Sequence, residues 1–429
     1  MTTLVLTGGR VLDPSTGFDG PADVVVENGR ILRLAAGAAA GVSGEAVRRV
    51  DASGCWVVPG LIDLHVHFRE PGQEYKEDIA SGLRAAAAGG FTAVCPMANT
   101  RPVNDTRSVT EAMVDRAEEA GGPRLLPIGA VTRGLEGREL TEMADLKEAG
   151  AVGVSDDGRC VMNAAVMRRA MEYARTFDLL VTQHCEDHHL TEGAQMHEGA
   201  VSTRLGLQGW PRIAEDIIVA RDLMLAEVTG ARYHVAHVSS LGAVRLLREA
   251  KARGLPVSAE VTPHHLSLTD AAVVGYHTHC KVNPPLRSEQ DRVALREALA
   301  DGTIDCIATD HAPHSQLEKD CEFPEASVGI NGLETAVPAL LSLVREGVLS
   351  PLRLVESLTT APVRLLPGIE GGSLREGARA DVTLIDPERR WTVSKEALRS
   401  RSHNTPLLDR QVTGAVRMTL VAGEIVHEA

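Results

Sequence analysis

The sequence predicts an α/β fold: a (β/α)8 TIM barrel with a small β-sandwich domain formed from both chain ends. Three observations lead to this prediction, namely eight short apolar runs, helical stretches between most of them, and β-rich segments on either side. Strands that alternate with helices are typical of parallel sheets, and eight such repeats can close into a barrel. We therefore expect the functional residues at the carboxyl ends of the barrel strands.

The eight apolar runs are interpreted as the barrel strands. They cover residues 61–67, 91–97, 124–131, 151–155, 179–184, 232–238, 256–261 and 305–309. Two of the intervening helices are predicted over 76–88 and 241–253, because glycines that commonly terminate helices follow each stretch. The barrel is expected within residues 59–364.

The two ends of the chain have a different pattern. Residues 1–58 and 365–429 contain short alternating strands and turns. Because these segments bracket the barrel, we expect them to pair into one composite β-sandwich domain.

The end of the first strand carries a candidate metal site. His65 and His67 lie two residues apart, so a strand would direct both imidazoles to the same face. Two neutral imidazoles on one strand form half of a site for a divalent metal such as zinc. Arg69 falls on that face as well, and its guanidinium suits a substrate carboxylate. His277 and His279 have the same spacing but follow no apolar strand, and they are not assigned to a metal.

Other predicted strands also end in polar residues. These are Asn99, Asp156 and Asp157, His184, His237 and Asp310. Four imidazoles and two carboxylates would therefore converge at one end of the barrel, which predicts a metal centre. Asp157 is taken as the ligand at the fourth strand, although Asp156 could coordinate while Asp157 caps the following turn.

Two segments resemble the signatures of type I bacterial dihydroorotases in the amidohydrolase superfamily. Residues 63–72 read DLHVHFREPG, and residues 308–314 read ATDHAPH, with Lys319 five residues further on. Related members carry a carboxylated lysine near the fourth strand, whereas residues 151–158 contain no lysine. Asp157 in that position resembles the type I branch and differs from the type II and hydantoinase-like branches.

The resemblance implies a role for each site residue. One metal would be held by His65, His67 and Asp310, and a second by His184 and His237, with Asp157 bridging the two. The implied cofactor is Zn²⁺, with one or two ions per subunit. Asp310 would also act as the catalytic base and then as the acid. The substrate carboxylate would be bound by Arg69, Asn99 and His314, and the ring by Asn283, Val328 and Gly329.

The implied activity is the reversible cyclisation of N-carbamoyl-L-aspartate to L-dihydroorotate in de novo pyrimidine biosynthesis. Two alternatives remain at this stage. An allantoinase or hydantoinase is disfavoured by Arg69 and by the missing lysine, and a non-catalytic scaffold for aspartate transcarbamoylase is disfavoured because all six metal ligands are present.

Composition restricts the partners. The net charge of −14 without a basic cluster argues against nucleic acid and anionic membranes. No apolar stretch reaches 18 residues and the start lacks a signal-peptide pattern, so we expect a cytoplasmic protein. Seven cysteines without a C-x-x-C pair fit a reducing compartment. The family resemblance implies a small-molecule substrate, a homodimer and a possible association with aspartate transcarbamoylase.

Overall fold

A computed structural model describes residues 3–44 and 46–429, and its first strands form a sheet outside the barrel. These strands are β1 (Thr3–Asp13), β2 (Phe18–Glu27), β3 (Arg30–Ala35), β4 (Val47–Asp51) and β5 (Trp56–Pro59). Strand β1 pairs antiparallel with β2 along one edge, and along the other edge it pairs in parallel first with β4 and then with β5. The chain enters the barrel directly after β5.

Short parallel strands between residues 61 and 307 form the barrel. They are β6 (Leu61–Val66), β7 (Phe91–Pro96), β8 (Arg124–Leu125), β9 (Ile128–Gly129), β10 (Gly153–Val154), β11 (Leu180–Gln183), β14 (Tyr233–Val235), β15 (Val257–Val261) and β16 (Cys306–Ile307). Two further strands, β12 (Met196–His197) and β13 (Gly209–Trp210), lie in the connection after β11 and pair only with each other. Each of the eight predicted runs contains an observed strand. The predicted barrel fold is therefore confirmed.

The third barrel position is divided between two strands. Strand β8 pairs with β7, whereas β9 pairs with β10. The break falls at Leu126 and Pro127, because proline has no backbone N–H to donate to a ladder. The predicted single run over 124–131 is thus two short strands.

Fourteen α-helices occur in the described residues, and most of them surround the barrel. They are α1 (Ile79–Ala88), α2 (Arg107–Ala120), α3 (Met143–Glu148), α4 (Ala164–Thr176), α5 (His188–Thr191), α6 (Ala200–Leu205), α7 (Ile213–Thr229), α8 (Leu241–Ala252), α9 (Pro263–Ser267), α10 (Glu289–Ala300), α11 (Gln316–Lys319), α12 (Ala336–Arg345), α13 (Pro351–Leu358) and α14 (Thr360–Leu365). Helix α1 begins three residues later than predicted, because Asp78 is extended and accepts a hydrogen bond from the Ser81 N–H. None of these helices is both long enough and apolar enough to cross a bilayer.

The last three strands return to the first sheet. They are β17 (Val382–Thr392), β18 (Gln411–Val421) and β19 (Glu424–Glu428), and β17 pairs antiparallel with β5. The resulting eight-stranded sheet encloses its own apolar core, to which Leu6, Val57 and Leu384 contribute. The strands of this sheet lie within 3–59 and 382–428, and the division of the chain into 1–58 with 365–429 and 59–364 stays a prediction.

The first and last barrel strands are joined beneath the site. The carboxylate of Asp63 accepts hydrogen bonds from the Thr309 N–H at 3.0 Å and the Thr309 hydroxyl at 2.6 Å. The same carboxylate accepts from the His65 N–H at 3.1 Å. Burial raises the pKa of Asp63 to about 7, while these three donors oppose the rise. Asp63 therefore fixes the strand ends that carry His65 and Asp310.

Candidate metal centre

The six predicted metal ligands lie together at the carboxyl end of the barrel. His65 and His67 come from β6, and the other four follow β10, β11, β14 and β16, in the order Asp157, His184, His237 and Asp310. All six side chains are buried. Parallel strands bring their carboxyl ends to one side of the barrel, so residues far apart in sequence meet there.

The ligand atoms form two overlapping groups. In the first, His67 Nε2 lies 3.0 Å and His65 Nε2 lies 3.6 Å from Asp310 Oδ1. In the second, His65 Nε2 and His237 Nε2 each lie 3.4 Å from Asp157 Oδ1. His184, which was predicted to share the second metal, is slightly more distant: its Nδ1 lies 3.8 Å from Asp157 Oδ1 and 3.0 Å from His237 Nε2.

Two atoms in this cluster have no hydrogen-bond partner among residues 3–44 and 46–429. They are His65 Nε2 and Asp157 Oδ1, and both are inaccessible to solvent. A buried polar atom left unpaired costs about 1–3 kcal/mol. A cation between the imidazole and the carboxylate would satisfy both atoms. The donor set of imidazole nitrogens and carboxylate oxygens therefore fits a divalent metal such as zinc.

Two buried glutamates hold the outward-facing nitrogens of the histidines. His65 Nδ1 lies 2.8 Å from Glu260 Oε1, and His184 Nε2 lies 2.8 Å from Glu186 Oε2. Glu260 Oε2 also lies 3.2 Å from His234 Nε2. Carboxylates in this position orient metal-binding imidazoles and increase their basicity.

The sequence interpretation assigned neither glutamate to the site. Glu260 had a detectable signal, since it is a charged residue inside the apolar run 256–261. Glu186 lies two residues after His184, but its burial could not be inferred from that spacing. His234 is also buried and joins this hydrogen-bond network.

The two adjacent aspartates at the fourth strand have different surroundings. Asp156 Oδ1 accepts hydrogen bonds from the Val131 and Thr132 N–H groups at 2.8 and 2.9 Å. Asp157 instead faces the histidines. The geometry thus favours Asp157 as the ligand and gives Asp156 a structural role.

The charges in the cluster are mutually stabilising. Burial raises the pKa of Asp157 and of Asp310, but the surrounding imidazoles more than offset that effect. The pKa of Asp157 lies well below its usual range, and that of Asp310 is about 2. Both carboxylates are therefore ionised at neutral pH, as metal binding requires.

Arg69 lies beside the metal cluster as a half-buried cation. Its Nε donates to the Pro313 carbonyl at 3.2 Å, and its Nη2 lies 3.4 Å from His314 Nε2. His314 Nε2 itself lies 2.8 Å from the Val328 carbonyl, to which it must donate. No carboxylate in the described part of the chain lies within 4.0 Å of the guanidinium nitrogens. The terminal nitrogens of Arg69 are consequently available for an anionic ligand.

The other predicted substrate contacts surround the same space. Asn99 Oδ1 accepts from His67 Nδ1 at 2.9 Å, so this amide also orients a metal ligand. Asn283 Nδ2 donates to Glu186 Oε2 at 2.9 Å. Gly329 has a φ of +147°, and a Cβ there would lie 2.8 Å from the Ala312 carbonyl oxygen, so only glycine fits.

Three site residues have left-handed backbone conformations. The φ angles are 61° for Arg69, 31° for His237 and 48° for Asp310. Residues other than glycine avoid this region, and its strain is found mainly at functional sites. The backbone thus holds these three side chains in directions that a relaxed strand end would not provide.

Comparison with known proteins agrees with this site. A family model described as Dihydro-orotase-like matches residues 54–242. The dihydroorotase of Anaeromyxobacter dehalogenans strain 2CP-1 is 56% identical over 433 residues, which cover 99% of this chain and 98% of that protein. The chain belongs to the dihydroorotase family. The dihydroorotase of Trichlorobacter lovleyi is 52% identical and covers 99% of both chains.

Solved structures related to this dihydroorotase-family chain share its fold. An L-hydantoinase from Arthrobacter aurescens superposes with a TM-score of 0.87 at 25% identity, covering 100% of this chain and 96% of that one. A dihydropyrimidinase from Brevibacillus agri gives a TM-score of 0.85 at 21% identity, covering 100% and 95%. The predicted TIM barrel with its β-sandwich is therefore confirmed, as is the resemblance to the amidohydrolase superfamily.

Proposed function

We propose that this protein is a dihydroorotase, which interconverts N-carbamoyl-L-aspartate and L-dihydroorotate in de novo pyrimidine biosynthesis. The single observation that carries the proposal is Arg69, a half-buried cation beside the six-residue metal cluster that has no carboxylate partner among residues 3–44 and 46–429. A cyclic amide that bears a carboxylate would satisfy this cation. The relatives at 52–56% identity named above support the same activity.

Substrate binding follows from the residues around Arg69. Its guanidinium is proposed to bind the substrate carboxylate, because a fork of N–H donors matches two carboxylate oxygens. Asn99 and His314 would complete this anion site, and Asn283 with the backbone of Val328 and Gly329 would contact the ring. Each charge-assisted contact of this kind contributes about 1.5–3 kcal/mol.

Asp310 is proposed to move the proton. It lies 3.0 Å from His67 Nε2 and is ionised, so it can accept the proton of the attacking water and pass it to the amide nitrogen as the ring opens. When bound, the metal would lower the pKa of a water molecule that it coordinates to about 7 and would polarise the amide carbonyl. We propose zinc, held by His65, His67 and Asp310 in one position and by His184, His237 and Asp157 in a second.

A comparative assay tests the proposal. Zinc-loaded protein is assayed for hydrolysis of dihydroorotate, allantoin and hydantoin, and the metal content of the same sample is determined. Turnover selective for dihydroorotate is expected, with one or two zinc ions per chain. Turnover of hydantoin or allantoin alone would contradict the assignment, and a metal-loaded protein that turns over none of the three would indicate the scaffold alternative.

We further propose a cytoplasmic homodimer that assembles through α7. Its exposed side carries Ile213, Ile217, Met224 and Val228, whose exposures range from 45% to 71%. An antiparallel pair of these helices centred near Ala220 would place Ile213 against Val228 and Ile217 against Met224, as a two-fold interface requires. Association with aspartate transcarbamoylase rests on the family resemblance alone.

A further inference from the structure

A cavity of about 430 Å³ has His314 in its lining and contains none of the six predicted metal ligands. Its walls come from the segment 314–320, which includes α11, from the segment 395–408 between β17 and β18, and from Thr278 and His279. We call it the basic cavity, because its ionisable lining consists of His279, His314, Lys319, Lys395, Arg401, His403 and a single carboxylate, that of Asp320. None of these residues belongs to the metal cluster.

The local charge is opposite to that of the whole chain. The protein has 58 acidic and 44 basic residues, yet three lysine or arginine side chains and three histidines line the cavity against one aspartate. Like charges that line one concave space repel each other, and low-dielectric walls strengthen the repulsion. Such an arrangement favours an anionic occupant.

The two lysines lack carboxylate partners in the part of the chain that the structure describes. Lys395 forms no ion pair with residues 3–44 or 46–429, whereas Arg401 pairs with Asp78. Lys319 Nζ donates only to two backbone carbonyls, those of Lys281 at 3.2 Å and Ser327 at 2.6 Å. Lys395 therefore contributes positive charge that no carboxylate of the described residues neutralises, whereas burial lowers the pKa of Lys319 to about 7, so that Lys319 is only partly charged at neutral pH.

Neighbouring groups respond to this positive charge. Burial lowers the pKa of His403, and the charge of Lys395 lowers it further. His279 shows the same effect from burial, with Lys319 and Lys395 among the charges that contribute. Both histidines are therefore mostly uncharged at neutral pH, and an anion in the cavity would raise their pKa values.

We propose that the basic cavity binds the phosphate group of a small molecule. A phosphate offers at least three acceptor oxygens and up to two negative charges, so it can bind Lys395 and Arg401 together and balance more positive charge than a single carboxylate. Pockets that bind small molecules typically span about 300–1,000 Å³, and this cavity falls within that range.

Occupancy would be communicated to the substrate site through Asn404. This residue belongs to the segment that carries Arg401 and His403, and its Oδ1 accepts from the His314 N–H at 3.0 Å. Its Nδ2 donates to the carbonyls of Ala312 at 2.9 Å and Gly329 at 3.1 Å. A phosphate held between the two walls would therefore stabilise the position of His314, and this regulatory step rests on the proposed function.

The test begins with inorganic phosphate titrated into the metal-loaded protein and followed by calorimetry. Saturable binding is expected, and Lys395→Ala should weaken it about tenfold, the loss expected for one charge-assisted hydrogen bond. The matched control is Lys147→Ala, which removes an exposed lysine on α3 and should leave binding unchanged. Absence of saturable phosphate binding, or equal phosphate affinity in Lys395→Ala and Lys147→Ala, would overturn the proposal.

A second arm separates free phosphate from a phosphorylated ligand, with adenosine monophosphate and adenosine as probes. The monophosphate should bind at least as tightly as inorganic phosphate, and adenosine should not bind. Inorganic phosphate should also change the KM for dihydroorotate in the wild type but not in Lys395→Ala. Phosphate that competes with dihydroorotate equally in both proteins would place it at Arg69 and refute the separate site. Because calorimetry does not depend on turnover, it can fail or succeed independently of the proposed activity.

Discussion

His65 is held between two carboxylates: its Nδ1 lies 2.8 Å from Glu260 Oε1, and its Nε2 lies 3.4 Å from Asp157 Oδ1. Since Glu260 can only accept a hydrogen bond when ionised, Nδ1 of His65 carries a proton, and Nε2 is the nitrogen that faces Asp157 and would bind a metal once it is deprotonated. Glu260 thus selects the tautomer that can bind a metal.

Replacing Glu260 tests this relationship. In Glu260→Gln, one carboxylate oxygen becomes an NH₂ group, so the side chain can no longer accept from both His65 and His234. Zinc affinity, measured by competition with a chelator, should fall about 10- to 100-fold, the usual cost of losing such a partner. Asp291→Asn is the control, because Asp291 is equally buried but contacts none of the predicted ligands. Equal zinc affinity in the wild type and Glu260→Gln would disprove the role.

Arg69 is expected to control substrate affinity and not metal binding. The substitution Arg69→Met keeps much of the apolar stem and removes the guanidinium, so KM for dihydroorotate should rise about 10- to 100-fold while the zinc content stays constant. Arg168→Met, at an exposed position on α4, should have no effect. An unchanged KM in Arg69→Met would eliminate the carboxylate assignment.

The paired aspartates should separate into two phenotypes. Asp157→Asn removes a charge from the metal cluster, so it should reduce the zinc content and the turnover rate. Asp156→Asn weakens the hydrogen bonds to the N–H groups of Val131 and Thr132, so it should lower the free energy of unfolding by about 1–3 kcal/mol and preserve zinc binding. Zinc analysis and denaturant unfolding of both variants distinguish the roles, and the reverse pattern would make Asp156 the ligand.

His197 should contribute to the loss of stability in acid. Burial lowers its pKa to about 4, from an ordinary value of 6.5. Between these values the unfolded chain binds a proton that the folded protein does not, so stability falls as the pH decreases from 6.5 to 4. As the pH falls through this window, the free energy of unfolding of His197→Gln should decrease by up to about 1.4 kcal/mol per pH unit less than that of the wild type. Parallel curves of unfolding free energy against pH would contradict the expectation.

The exposed side of α7 provides a test of the homodimer. Met224→Lys would place a charge in the centre of the proposed interface, and light scattering should then show a shift from dimer to monomer at micromolar concentration. Leu32→Lys replaces a similarly exposed apolar residue on β3 and should remain dimeric. A wild-type protein that is monomeric, or a Met224→Lys variant that stays dimeric, would show that α7 is not the interface.

Much of the fold and of the site followed from local pattern. The barrel strands could be predicted because alternating apolar runs and helices are local signals, and the ligands because strand ends converge in a barrel. The break at Pro127 and the late start of α1 at Ile79 depended on single residues, which shift boundaries without changing the fold.

Other features depended on tertiary structure. Asp156 and Asp157 are adjacent, so only the backbone turn after β10 decides which of them faces the histidines. Glu260 and Glu186 acquire their roles from partners on other strands and loops, such as His65 and Asn283. The left-handed φ angles of Arg69, His237 and Asp310 are likewise imposed by the assembled barrel and leave no trace in composition.

The sheet that joins both parts of the chain has a consequence for synthesis on the ribosome. Strand β5 cannot pair with β17 until the whole barrel between them has been translated, and Arg48 meets Glu428 across 380 positions. During that interval one edge of β5 has no partner, and open strand edges promote aggregation. The nascent chain is thus most prone to aggregation while the barrel is being translated, and pairing of β17 with β5 ends this period.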